Sequence, residues 1–150
     1  MITYRFEETI GRSAADVWSL AADITRHPEW MAVTEATILS GDSTTVGARG
    51  REIVRLGPFR WAMEFEVIDA APGRRLTWRA TGGGPFTGDL TLDLEPVNAH
   101  ETRAIYRGEV HLKGLWRLFE PIMAKEIREG EARELQRLKA LLEERAPAAG

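Results

Sequence analysis

The chain offers few side chains arranged for chemistry. Its three histidines, His27, His100 and His111, are scattered over a helix-turn segment, a hairpin loop and a strand. None has the spacing of a metal pair, and no metal site is expected. Asp89 and Asp93 alternate away from Leu90, Leu92 and Leu94, so they read as solvent-facing and not as a general acid/base pair. Cysteine is absent, which removes thiolate metal sites, cysteine nucleophiles and disulfides together. No serine stands in a nucleophile elbow. Gly82-Gly83-Gly84 joins two strands without the Lys-Ser/Thr of a phosphate loop. Two weak catalytic candidates remain. Tyr106 lies on the apolar face of a strand, where its hydroxyl needs a partner. Glu52 lies in the strand Arg49 to Leu56, whose facing is ambiguous. If Val54 and Leu56 point inward, so does Glu52; if Ile53 does, so do Arg51 and Arg55. An inward charge is costly unless paired and would become a functional candidate. The alternative is a solvated charge at a sheet rim. His27 reads as a surface or helix-start residue.

The elements that must position these residues follow from hydropathy period. Ile2, Tyr4, Phe6 and Ile10 alternate with polar residues as a half-buried strand. Ser13 starts a short helix, with Asp16 completing a small capping box, and Asp23 to Trp30 reads as a turn with a second short helical piece. Strands follow over Ala36 to Ser40, Arg49 to Leu56, Phe59 to Asp69, Leu76 to Ala80, Asp89 to Leu94 and Arg103 to Leu112. The spacing predicts one long helix from Leu115 to Arg145, with Leu115, Leu118, Phe119, Ile122, Met123 and Ile127 on its inward stripe and Leu135, Leu138, Leu141 and Leu142 resuming it. Pro121 reads as a kink inside that helix. Gly130 interrupts the stripe, either as a gap in a cavity wall or as a point of close approach to the sheet. The helix surface carries Lys125, Glu129 and Arg133 at pairing distance.

Bulk composition narrows the function classes. The chain has 150 residues and a net charge of -3 with mixed signs, which suits one domain and excludes a basic nucleic-acid-binding surface. No run approaches the roughly 20 apolar residues of a membrane span, and the start lacks the apolar core of a signal peptide. A cytoplasmic location is expected, with residues 1–145 as one domain and residues 146–150 as a frayed tail. Five tryptophans and five phenylalanines indicate an aromatic interior. The dry-face set Trp61, Phe65, Trp78 and Tyr106, with Phe119, Met123, Ile127 and Gly130 from the helix and Trp30 and Phe86 near the mouth, forms the candidate ligand-binding site.

Ser13-Ala14-Ala15-Asp16-Val17-Trp18 leading to His27-Pro28-Glu29-Trp30, and Gly114-Leu115-Trp116 leading to Glu120-Pro121-Ile122-Met123, resemble the polyketide cyclase/dehydrase branch of the START-like (SRPBCC) superfamily. Pro72-Gly73-Arg74-Arg75-Leu76-Thr77-Trp78 is similar to that branch as well. The resemblance covers nearly the whole chain. It implies an α+β helix-grip fold: a curved antiparallel sheet of about seven strands wrapped on the C-terminal helix, with two short helices after the first strand and an apolar cavity between sheet and helix. The expected function is binding of a hydrophobic or aromatic small molecule, lipid-like or polyketide-like. One alternative is a cyclase or dehydratase acting by positioning, without metal or nucleotide cofactor. Another is a partner-binding module, as in chaperone-activator relatives, with Trp116 as the exposed contact. No cofactor, nucleic acid or integral membrane association is expected, and a homodimer is left open.

Overall fold

The computed structural model describes residues 1–144, so the expected tail and the last residue of the expected helix lie outside the described residues. Seven strands form one antiparallel sheet: β1 Ile2–Ile10, β2 Val33–Ser40, β3 Arg49–Leu56, β4 Phe59–Ala71, β5 Arg75–Gly82, β6 Phe86–Asn98 and β7 Glu101–Leu112. Strands two to seven form a meander and β1 adds beside β7, giving the order β1-β7-β6-β5-β4-β3-β2. Helix α1, Ala14–Ala21, and a 3-10 helix, Ile24–Glu29, follow β1; a second 3-10 helix, Gly114–Phe119, leads into α2, Glu120–Glu144. This is the helix-grip fold. The Ser13 hydroxyl accepts from the Asp16 N–H at 3.2 Å and caps α1, as the sequence indicated.

One face of the sheet is dry and lies against α2; the other is wet. Across the wet face, Arg79 binds Asp89 through two nitrogens at 2.8 Å, and Asp93 accepts from both Arg75 and Arg107. The Arg79 guanidinium holds the Asp89 carboxyl below its usual range. Ile2, Ile10, Leu76, Leu92 and Tyr106 on the dry face belong to one core with Leu135, Leu138 and Leu142 of α2, and all are fully buried.

The long C-terminal element differs from the expected single helix. Gly114, with φ +58°, adopts a left-handed conformation that suits glycine and redirects the chain into the 3-10 turn. Pro121 therefore falls in the first turn of α2, where its missing N–H has no intrahelical partner to lose, and it is not an interior kink. The expected inward stripe is also shorter. Leu115, Leu118 and Ile122 are 81%, 77% and 70% exposed, and Phe119 is exposed with them; the inward face begins at Met123.

Two glycines let aromatic rings lie flat on the dry face. Gly108 pairs across strands with Tyr4, and Gly50 pairs with Phe65. A Cβ on either would stand 2.3 Å from the partner ring. Gly108→Val and Gly50→Val are expected to destabilise the fold by about 1–3 kcal/mol through this overpacking, measured as lower urea midpoints. An unchanged midpoint would mean that the rings move aside freely.

Candidate functional site

The half of α2 nearest its start does not seal onto the sheet. Between them lies a cavity of about 190 Å³ lined largely by apolar side chains, among them Met63, Phe65, Trp78, Phe86, Leu90 and Ile127. Gly130 belongs to this wall. A Cβ there would meet nothing nearer than the Arg133 Nη2 at 3.9 Å, so the clearance fits an open wall and not a close sheet contact. Glu52, Phe65, Trp78, Phe86, Ile127 and Gly130, all named from the sequence, come together here.

The other sequence candidates sit elsewhere. Trp30 is fully buried in the core, with its ring edge-on to Tyr106 at 5.8 Å and to His27 at 5.8 Å. Tyr106 is likewise wholly buried behind the wall, its hydroxyl taken up by a side chain of α2. Trp61 lies one layer outward, 5.3 Å from Phe86, against Trp116. Phe119 is solvent-exposed because it precedes α2, and Met123 packs below the cavity without lining it.

Polar groups collect at one region of the wall. Helix α2 carries Glu131 and Glu134 inward, on the stripe between Ile127 and Leu138. Glu134 accepts from the Tyr106 hydroxyl at 2.8 Å and from the Ala32 N–H at 2.6 Å. Glu131 lies beside Glu134, Tyr4 and Tyr106, and its Oε2 is buried with no hydrogen-bond partner in the protein. Burial, then the neighbouring Glu134, raises the Glu131 carboxyl well above its usual range. Burial raises Glu134 too, while hydrogen bonds from Glu131, the Ala32 N–H and the Tyr106 hydroxyl favour its ionised form. The same burial pushes the Tyr4 and Tyr106 hydroxyls up.

His27 and Glu52 form a second polar pair. His27 is 1% exposed, which corrects its surface reading, and Glu52 is 8% exposed, which settles the facing left open for its strand. Strand β3 is set with Gly50, Glu52, Val54 and Leu56 inward, and the His27 Nδ1 bonds the Glu52 Oε1. The Ala21 carbonyl lies 3.3 Å from the His27 Nε2. The Trp78 Nε1 is buried without an acceptor. Two of the wall residues, Trp78 and Glu131, thus each bury a polar atom, Nε1 and Oε2, that has no partner in the protein.

The Glu131–Glu134 pair was missed because carboxylates on a helix read as a wet face. The signal was their position: Ile127, Glu131, Glu134 and Leu138 keep the three-and-four spacing of the stripe, so the gap in apolar residues was filled by two acids.

A family model described as "Polyketide cyclase / dehydrase and lipid transport" matches residues 1–143. No curated protein sequence matches the chain. Among solved structures, the Zhui aromatase/cyclase of a Streptomyces species superposes with TM-score 0.84 at 13% identity, covering 99% of this chain and 97% of that one. A START superfamily protein from Mycobacterium smegmatis gives 0.83 at 16% identity over 96% and 99%. A protein from Thermus thermophilus gives 0.79 at 17% identity over 95% and 97%.

The raised Glu131 carboxyl has a consequence for stability. The folded protein retains a proton that the unfolded chain releases near the ordinary glutamate value of 4.5. Stability therefore falls as pH rises from about that value toward the raised one. Glu131→Gln is expected to flatten this slope and to raise the urea midpoint at neutral pH relative to the parent. An identical slope in the two proteins would show that Glu131 ionises normally.

Proposed function

Because the chain belongs to the polyketide cyclase/dehydrase and lipid transport family, we propose that it binds a small hydrophobic or aromatic molecule between the sheet and α2. The observation that carries this reading is the apolar cavity, two of whose wall residues bury unmatched polar atoms. A space of about 190 Å³ suits one or two rings better than a long acyl chain; an engineered apolar cavity of roughly 150 Å³ accepts benzene. Phe65, Trp78, Phe86 and Ile127 would enclose the rings, and Trp78 and Glu131 would meet a polar substituent. Glu131, holding its proton, can donate to a carbonyl; the Trp78 Nε1 donates to an oxygen of the same or a second group. Such pairing raises specificity, because a ligand lacking the polar group leaves buried atoms unmatched.

The test is calorimetric titration with naphthol as probe. The parent protein is expected to bind it, and Gly130→Leu is expected to weaken binding at least about tenfold by filling the wall, with little change in thermal midpoint. Equal affinity in the two proteins would remove the cavity as the site.

A second reading is a cyclase or dehydratase. It is favoured by one observation: a protonated carboxyl and an imidazole–carboxylate pair border the same space. Glu131 would protonate a substrate carbonyl, and the walls would fold the chain into a reactive conformer. Under this reading Glu131→Gln lowers the rate on a short poly-β-ketoacyl thioester by roughly 100-fold while leaving affinity nearly unchanged. An equal rate in parent and variant, or no turnover of that thioester by the parent, counts against it.

A further inference from the structure

An exposed apolar surface stands outside the cavity. Leu115 and Leu118 of the second 3-10 helix and Ile122 at the start of α2 project into solvent beside Phe119. Phe59, at the tip of the β3–β4 hairpin, extends the surface: its ring lies 5.9 Å from that of Trp116, which in turn lies 6.0 Å from Phe119. The patch is continuous with the cavity wall through aromatic contacts, Trp116 to Trp61 at 5.8 Å and Trp61 to Phe86 at 5.3 Å. A shallow groove floored by Trp61 and Trp116 opens beside it, bordered by Gly83, Gly84 and Lys113.

Lys113 and Arg117 flank Leu115 and Leu118, and neither makes an ion pair among the described residues. The arginines of the outer sheet face behave differently, since Arg75, Arg79, Arg103 and Arg107 are each bridged to a carboxylate. Within residues 113–122 the one acidic side chain, Glu120, is taken up by the Met1 amino group at 2.7 Å. One exposed acid, Glu126, stands a helical turn past Ile122. Apolar side chains at the crest of two short elements, interleaved with the unpaired cations Lys113 and Arg117, are the pattern of a surface that enters the headgroup layer of an anionic bilayer.

We propose that this patch docks the protein peripherally on an anionic lipid surface, with Leu115, Leu118 and Ile122 inserted and Lys113 and Arg117 against the headgroups. Docking there would set the aromatic path from Trp116 to Phe86 at the bilayer, where apolar ligands are concentrated.

Co-sedimentation with vesicles tests this. The parent is expected to bind vesicles of equal parts phosphatidylcholine and phosphatidylglycerol, and to bind pure phosphatidylcholine or the mixed vesicles in high salt far more weakly. The double variant Leu115→Ser/Leu118→Ser should lose at least about tenfold in vesicle affinity, while Arg117→Glu should remove the preference for anionic lipid. Both variants should keep the parent's thermal midpoint and naphthol affinity, since neither touches the cavity. No vesicle binding by the parent, or equal binding by the double variant, overturns the proposal. So does light scattering that shows a parent dimer split by the double variant without any vesicle binding, which would make the patch a self-interface.

Discussion

A carboxylate carried beneath a helix must find donors, and Glu134 finds them on two other elements. The Tyr106 hydroxyl comes from the centre of the sheet and the Ala32 N–H from the segment between the first 3-10 helix and β2. One side chain thereby ties α2 to β7 and to the start of β2. The alternative, an unpaired buried charge, would cost several kcal/mol, so the three elements are held in one arrangement. Arg137 reinforces the joint by donating to the Trp30 carbonyl at 3.2 Å, and Arg12 by donating to the Leu142 carbonyl at 2.9 Å. Both bonds fasten the C-terminal part of α2, and its first half is tied to β1 by Arg128, donating to the Thr3 carbonyl at 3.1 Å, and by Glu120, accepting from the Met1 amino group at 2.7 Å.

The make-up of the inward stripe, not a lack of ties, accounts for the cavity. Past Glu134 the stripe is leucine, and the sheet closes on it with Leu135, Leu138 and Leu142 fully buried. Before Glu134 the stripe offers Glu131, Gly130 and Ile127, which present an acid, no side chain and one branched chain. A protein interior otherwise packs to crystal-like density. Here the sequence supplies too little apolar volume to fill the gap, and the two acids make complete collapse unfavourable. The flat rings of Tyr4 and Phe65, seated on Gly108 and Gly50, widen the space from the sheet side.

Much of this was readable from residue order. Strict alternation identified the strands, and the motifs around His27-Pro28-Glu29-Trp30 and Gly114-Leu115-Trp116 pointed to the helix-grip fold. The errors share a physical cause: periodicity reports which residues could share a face, not where the face begins. Leu115, Leu118, Phe119 and Ile122 keep the helical spacing, yet Gly114 starts a tighter turn and puts them in water. His27 looks like a surface residue and Glu52 has no decided facing when each is taken singly, because the cost of burying each is cancelled only by the other, 25 residues away. Tyr106 was expected to offer its hydroxyl to a ligand, but that hydroxyl is taken up by Glu134, which local pattern could not reveal.

The polar and apolar ends of the molecule impose a direction on anything entering it. The aromatic contacts from Phe119 through Trp116 and Trp61 to Phe86 run inward from solvent-exposed residues. The unmatched Trp78 Nε1 and Glu131 Oε2 are buried in the cavity wall. An amphipathic ligand crossing the aromatic surface gains apolar contact throughout, but can recover the hydrogen bonds of its polar group only once it reaches the wall. Under the proposed function its polar group would be held inside and its apolar body left toward the mouth. A reacting carbonyl would then stand beside Glu131, so binding and proton transfer would draw on one orientation and differ only in whether the bound molecule is reactive.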